Sequence, residues 1–286
     1  MPLLKELEDH GIDGLWTILD IVSMYLYGGE NTATKELLIL VKRVLVAPVL
    51  MTAVRNNMDG YHMEQMVVRL VKLGAIDETY AKKLAKQVMS ICRQGKDRVF
   101  YDLDDPARKI LNNLMALHPV VVWKEVTKKL ISRSWHDRFY AENLLEARHH
   151  DDDYLGRGLS FNVPSHIYMD WVREKPGARA SKAVAWLPIA EKDDSGQLKW
   201  HSELEAFVAE FGDHQDVMSA ISQRLMPSTY VGGLIRYIEP VVTLVESWST
   251  HSSSNIRSWV ARQLDWLQKT IAEETKRSEE DVVRYS

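Results

Sequence analysis

The chain contains very little cysteine, proline and glycine for its length. Its one cysteine, Cys92, excludes a disulfide within the chain and any zinc cluster built on several cysteines. Nine prolines and fourteen glycines in 286 residues disfavour a sheet-rich fold, which would need many tight turns. Because this length can bury a large core, the composition favours an all-α protein of one or two domains.

Neither charge nor hydropathy points to nucleic acid or lipid as a partner. The 36 basic and 40 acidic residues give a net charge of −4, so no global positive field exists. The most apolar window, residues 37–54, contains Lys42 and Arg43, and a cation at the centre of a membrane helix costs about 2.5 to 3.5 kcal/mol. We therefore expect a core helix bent at Pro48 and no membrane span. The acidic start MPLLKELEDHG is unlike a signal peptide, which favours a cytoplasmic protein.

Apolar spacing predicts helices along nearly the whole chain. Apolar side chains over 63–71 recur every three or four residues, and Gly74 supplies a left-handed stop. Asp77 is placed to cap the next helix. The same spacing predicts further helices over 107–115, 204–211 and 256–271. In total we expect about eleven or twelve helices with short connections.

Helix ends and loops are also predicted from local residue types. His118-Pro119 predicts a break between two helices, because proline restricts the residue before it. Ser202 and Glu205 have the spacing of a capping box. No segment shows clean period-two alternation, so no sheet is expected. The polar stretches 148–163 and 188–198 are predicted to be surface loops.

The helices are expected to form an irregular HEAT-like solenoid of helix pairs or a compact helical bundle. Amphipathic helices with short connections pack as antiparallel neighbours in both architectures. We predict an N-terminal helical lobe over 1–95 and a HEAT-like lobe over 96–286, and a boundary at the 148–163 loop stays open as the alternative. Large side chains would fill the space between helix layers. We expect this packing role for five tryptophans, Trp171, Trp186, Trp248, Trp259 and Trp266.

Three segments resemble a known class of helical repeat. WVREKPGARA (171–180), FGD (211–213) and NIRSWV (255–260) resemble elements of the C-terminal helical-repeat regions of large bacterial proteins, including STAND-type antiviral sensors. The resemblance covers about residues 100–280. It implies a solenoid that recognises a protein partner, in a bacterial defence setting, and it implies no catalytic residue.

A cluster of potential metal ligands lies in the segment ARHHDDDYLGRGLS, residues 147–160. Five consecutive histidines and aspartates cannot all converge on one ion, so we interpret them as part of a polar loop. One alternative stays open, since all-helical HD-type phosphohydrolases have a histidine, a His-Asp pair and a distant aspartate. Here His118, His150 and Asp151, with Asp213 or Asp216, would take those roles, and the metal would supply hydroxide to a phosphate ester.

Motifs for other chemistry are absent from the sequence. There is no GxSxG elbow, no HExxH and no phosphate-binding glycine loop, so we expect no enzyme activity, cofactor or metal. Acidic residues interleave with the basic residues of 93–133, which disfavours nucleic acid. The leading hypothesis is a protein-interaction module, and self-association stays open. Its predicted contact residues lie in the two polar loops and are His150, Asp152, Arg157, Phe161 and Lys192.

Overall fold

The protein is all-α, as predicted. The computed structural model describes the chain except residues 1–5, 7–8, 28–33, 48–56, 91–98, 146–154, 156–162, 227–232 and 286. It is 75% helical, and its only strands in the described part form one short hairpin. The elements are α1 Gly11–Tyr27, α2 Lys35–Leu45, α3 Asn57–Lys72, α4 Glu78–Val88, α5 Val99–Leu117, α6 Pro119–Leu130, α7 Trp135–Leu145, α8 Ser165–Arg173, α9 Pro176–Val184, β1 Ala190–Lys192, β2 Leu198–Trp200, α10 Ser202–Phe211, α11 Gln215–Arg224, α12 Ile235–Glu246 and α13 Ser254–Tyr285.

The residues cluster into two compact units. Unit 1 comprises Met1–Leu145 with Ser160–Ile167, and unit 2 comprises Glu146–Leu159 with Tyr168–Ser286. Residue 95, where the sequence suggested a lobe boundary, therefore falls within unit 1, and that boundary stays a prediction. No helix in the described part of the chain combines the length and apolar character needed to cross a bilayer.

In unit 1 several helices pack against the next helix but one. α1 contacts α3, α3 contacts α5, and α5 contacts α7, while α4 contacts α6 in the same way. Sequential neighbours such as α5 and α6 also touch. This pattern arises when antiparallel helix pairs stack side by side. The first helix of each pair then contacts the first helix of the next pair, and the second helices contact each other in the same way.

The local predictions around α3 and α4 are confirmed. Gly74 has a φ of 62°, the left-handed value expected after a helix end. The carboxylate of Asp77 caps α4 by accepting a hydrogen bond from the backbone amide of Tyr80 at 2.8 Å. Lys42 donates to the carbonyl of Ala75 at 2.8 Å and lies 3.6 Å from Asp77, which explains a cation within an apolar window. Helix α2 ends at Leu45, and the predicted bend at Pro48 lies outside the described residues.

Unit 2 has a core rich in tryptophan. Trp200 stacks on Trp248 with ring centroids 4.0 Å apart, and Trp259 lies 6.2 Å from Trp248. Trp171 and Trp186 are buried as well. The prediction is wrong for Trp266, which is 45% exposed because it lies beside the apolar stripe of α13 rather than on it. The buried members of that stripe are Ile256, Trp259, Val260 and Leu267.

Two local predictions between α9 and α10 are wrong. Residues 188–198 are not a plain loop, since β1 and β2 pair antiparallel with Ala190 opposite Trp200. Three-residue strands are too short to show alternation in sequence. The capping box is also absent, because the N-cap of α10 is His201, whose Nδ1 accepts from the amide of Glu203 at 3.3 Å. Ser202 is instead the first residue of that helix.

Candidate functional site

Most residues of the predicted partner-binding loop lie outside the described residues. This holds for His150, Asp151, Asp152, Arg157 and Phe161, whose roles stay predictions. Lys192 is the exception. It ends β1, is exposed, and lies opposite Leu198 in the register of the hairpin. It is therefore accessible, as a contact residue must be.

His118 has a structural role that conflicts with metal binding through one ring nitrogen. Its Nε2 lies 3.1 Å from the backbone carbonyl oxygen of Ile76. A carbonyl oxygen only accepts hydrogen bonds, so Nε2 carries the proton and cannot also bind a metal. The bond ties the turn between α5 and α6 to the segment that precedes α4. Sequence reasoning placed the helix break here correctly but could not supply this partner.

Asp213, an alternative ligand of the phosphohydrolase hypothesis, is engaged in a local network. Its Oδ1 accepts a hydrogen bond from the hydroxyl of Ser253 at 2.9 Å and from the side-chain Nδ2 of Asn255 at 3.3 Å. Among the described residues, no group of three or more histidine, cysteine, aspartate or glutamate side chains is arranged to hold a metal. The hypothesis therefore depends on His150 and Asp151, which the structure does not describe.

The most distinctive surface of unit 1 is an exposed apolar cluster, the α7 patch, formed by Ile131, Trp135 and Phe139. These side chains are 53%, 58% and 39% exposed, respectively. The rings of Trp135 and Phe139 are nearly parallel, at 15°, with centroids 4.9 Å apart. Since they are four residues apart on one helix, their side chains share a face. Contiguous exposed apolar residues mark binding surfaces more often than single ones do.

A rigid turn between α6 and α7 holds this patch in place. Ser134 caps α7, because its Oγ accepts a hydrogen bond from the amide of Asp137 at 3.3 Å. The buried carboxylate of Asp137 accepts from the hydroxyl of Ser132 at 2.9 Å and from Lys129 Nζ at 3.0 Å. The guanidinium of Arg138 donates to the carbonyls of Ser132 and Arg133 at 2.8 and 3.0 Å. The chain direction at Trp135 is therefore fixed by side-chain bonds.

The opposite face of α7 packs into the core of unit 1. Tyr140, Ala141, Leu144 and Leu145 are all buried. The helix thus has apolar residues on two faces, although only one of them is needed for folding. The sequence WHDRFYAENLL contains this information, since Trp135 and Phe139 form a second apolar pair at helical spacing. The second apolar pair was missed because one buried apolar stripe was expected for each helix.

Two exposed basic residues lie near the patch along the chain. Lys124 lies seven residues before Ile131 on the preceding helix, and Arg133 lies in the turn itself. Both side chains are exposed, and neither forms an ion pair with the described residues. His136 meets the Trp135 ring edge-on at a centroid distance of 5.2 Å. The exposed carboxylate of Glu142 lies three residues after Phe139 on the same helix face, so side chains of both charge signs lie near the patch.

Comparison with known proteins gives no relative from which a role could be inferred. No family model, curated protein or solved structure matches the chain.

Proposed function

We propose that the protein is a non-enzymatic helical-repeat module that binds a protein partner through the α7 patch. The observation that carries the proposal is the exposed stack of Trp135 on Phe139, fixed on an ordered helix. The partner segment would present an apolar side chain flanked by aspartate or glutamate. The apolar side chain would cover the two rings, and its acidic neighbours would meet Lys124 and Arg133.

Energetics support an aromatic anchor. Burying an exposed side chain of this size contributes about 1.5 to 3 kcal/mol, and tryptophan is among the residues most often found at binding hot spots. The ring geometry is present before binding, so little side-chain freedom is lost on association. Lys124 and Arg133, which form no ion pair within the described part of the chain, would favour encounter with an acidic segment and would discriminate against basic partners.

The arrangement of helices supports the repeat part of the proposal. Packing between several next-but-one helices in unit 1 is expected for stacked helix pairs, and such pairs form extended surfaces that suit protein recognition. The resemblance of 171–180, 211–213 and 255–260 to the helical repeats of STAND-type antiviral sensors suggests a bacterial defence setting. The loop residues His150, Asp152, Arg157 and Phe161, with Lys192, would provide additional contacts.

The experiment is a peptide-display selection with matched variants. A random peptide library is selected on the wild-type protein and counter-selected on Trp135→Ala/Phe139→Ala. We expect enriched peptides with an apolar residue flanked by acidic ones. Trp266→Ala is the control, because it removes an exposed tryptophan from α13 in unit 2. It should bind the enriched peptides like the wild type.

Two results would contradict the proposal. One is enrichment of peptides that bind the double variant as well as the wild type. The other is tight binding of a single-stranded oligonucleotide that Trp135→Ala abolishes, which would identify the stack as a base-stacking platform. We expect the variants to stay folded, because substitutions of exposed residues usually change the free energy of unfolding by less than about 0.5 kcal/mol. A loss of binding would therefore report on the contact surface.

A further inference from the structure

Unit 2 contains a cleft that the proposed function does not use. It has a volume of about 600 Å³ and lies between α11 and α13, beside the turn that joins α10 to α11. This size is typical of sites for small ligands. The polar side chains that matter here are Asp213, Ser222, Asn255, Arg262 and Gln263, and Trp259 adds an apolar wall.

One end of the cleft presents hydrogen-bond donors. The guanidinium of Arg262 is exposed and forms no ion pair or hydrogen bond with the described residues. Gln263, next to it, is only 8% exposed. Its Oε1 accepts from the hydroxyl of Ser222, which in turn accepts from Trp259 Nε1, both at 2.9 Å. The amide NH2 of Gln263 therefore has no acceptor among the described residues.

These donors match a carboxylate. Arginine binds carboxylates through two parallel hydrogen bonds, and the side-chain NH2 of the neighbouring Gln263 can donate to the same group. Gln263 is held in place by Ser222 and Trp259, so its donor direction is set before any ligand arrives. The cleft is thus organised to receive an anionic group at this end.

The other end of the cleft presents an acceptor. Asp213 is exposed, and its Oδ1 is occupied by Ser253 and Asn255. Its Oδ2 has no partner among the described residues. Asn255 and Arg262 are seven residues apart on α13, which corresponds to roughly 10 Å along the helix axis. The side chain of Arg262 leans towards the N-terminus of its helix, which shortens the separation between the two charged groups.

We infer that the cleft binds a short unblocked peptide, with its carboxylate on Arg262 and Gln263 and its ammonium on Asp213. An extended peptide spans about 3.3 to 3.6 Å per residue, so two or three residues fit the separation. The peptide would lie along Trp259. This site is in unit 2 and does not depend on the α7 patch, so either proposal can fail alone.

The test uses a panel of unblocked dipeptides and tripeptides, measured by isothermal titration calorimetry. Every peptide that binds is compared with its C-terminal amide and its N-acetyl form. We expect each block to weaken binding at least tenfold. On Arg262→Gln the acid and the amide should bind equally, and on Asp213→Asn the amine and the acetylated form should bind equally.

Both variants are expected to keep the local fold, so a change in affinity reports on the ligand contact alone. Arg262 has no hydrogen bond or ion pair to lose among the residues that the structure describes, and asparagine at 213 can still accept from Ser253. Arg277→Gln is the control, since Arg277 lies on α13 and pairs only with Glu274, at 2.6 Å, among the described residues. It should leave all affinities unchanged. The inference is overturned if no peptide binds at about 10 mM, or if blocked and unblocked forms bind alike.

Discussion

Replacement of Asp137 by alanine should destabilise unit 1 by about 3 kcal/mol. The hydrogen bond from Ser132 to this charged group is worth about 1.5 to 3 kcal/mol. The pair with Lys129 has side chains only 16% and 6% exposed, so it is worth more than a surface pair, or about 1 to 1.5 kcal/mol. Alanine has a higher helix propensity than aspartate, which offsets about 0.5 kcal/mol of the lost stability.

The assay is equilibrium urea unfolding followed by circular dichroism. The control is Asp265→Ala, since Asp265 pairs with Lys269 at 2.7 Å but both side chains are more than 60% exposed. That variant should lose less than about 0.5 kcal/mol. Because both variants remove an aspartate from a lysine pair in a helix, the difference between them measures the effect of burial and of Ser132. Equal losses for the two variants would refute the reasoning.

Two further predictions concern the start of α4. The hydrogen bond from the amide of Tyr80, and then the charge of Lys42, hold the pKa of Asp77 below its usual value of 3.8. The wild type should therefore be more stable than Asp77→Asn at pH 6, and this advantage should disappear as the pH falls through the lowered pKa; a constant difference in Tm would contradict it. Tyr80→Phe should leave stability unchanged or raise it by up to about 1 kcal/mol, because the buried hydroxyl has no partner in the described residues. A loss above 1 kcal/mol in urea unfolding would count against this.

Much of the fold was predictable because it depends on local rules. The left-handed stop at Gly74, the cap at Asp77 and the break at His118-Pro119 all appear where the residue types placed them. Apolar periodicity likewise identified the buried faces of α3, α5 and α10. Each of these features is decided within one or two helical turns. The composition alone indicated an all-α class.

Features that depend on distant partners could not be predicted. The short hairpin before α10 is stabilised by Trp200 stacking on Trp248, far along the chain. The exposure of Trp135 could not be predicted, since sequence does not show which of two apolar faces meets the core. The unpaired state of Arg262 is likewise a property of its neighbours in space and not of its sequence.

The most direct test of the central claim is the affinity of one acidic-flanked peptide, obtained by the selection above, for wild-type protein and for Trp135→Ala. A hot-spot tryptophan contributes at least 2 kcal/mol, so the dissociation constant should rise about 30-fold. The constant for Trp266→Ala should stay at the wild-type value. If Trp135→Ala binds within twofold of the wild type, the α7 patch is not the binding surface and the proposed function is wrong.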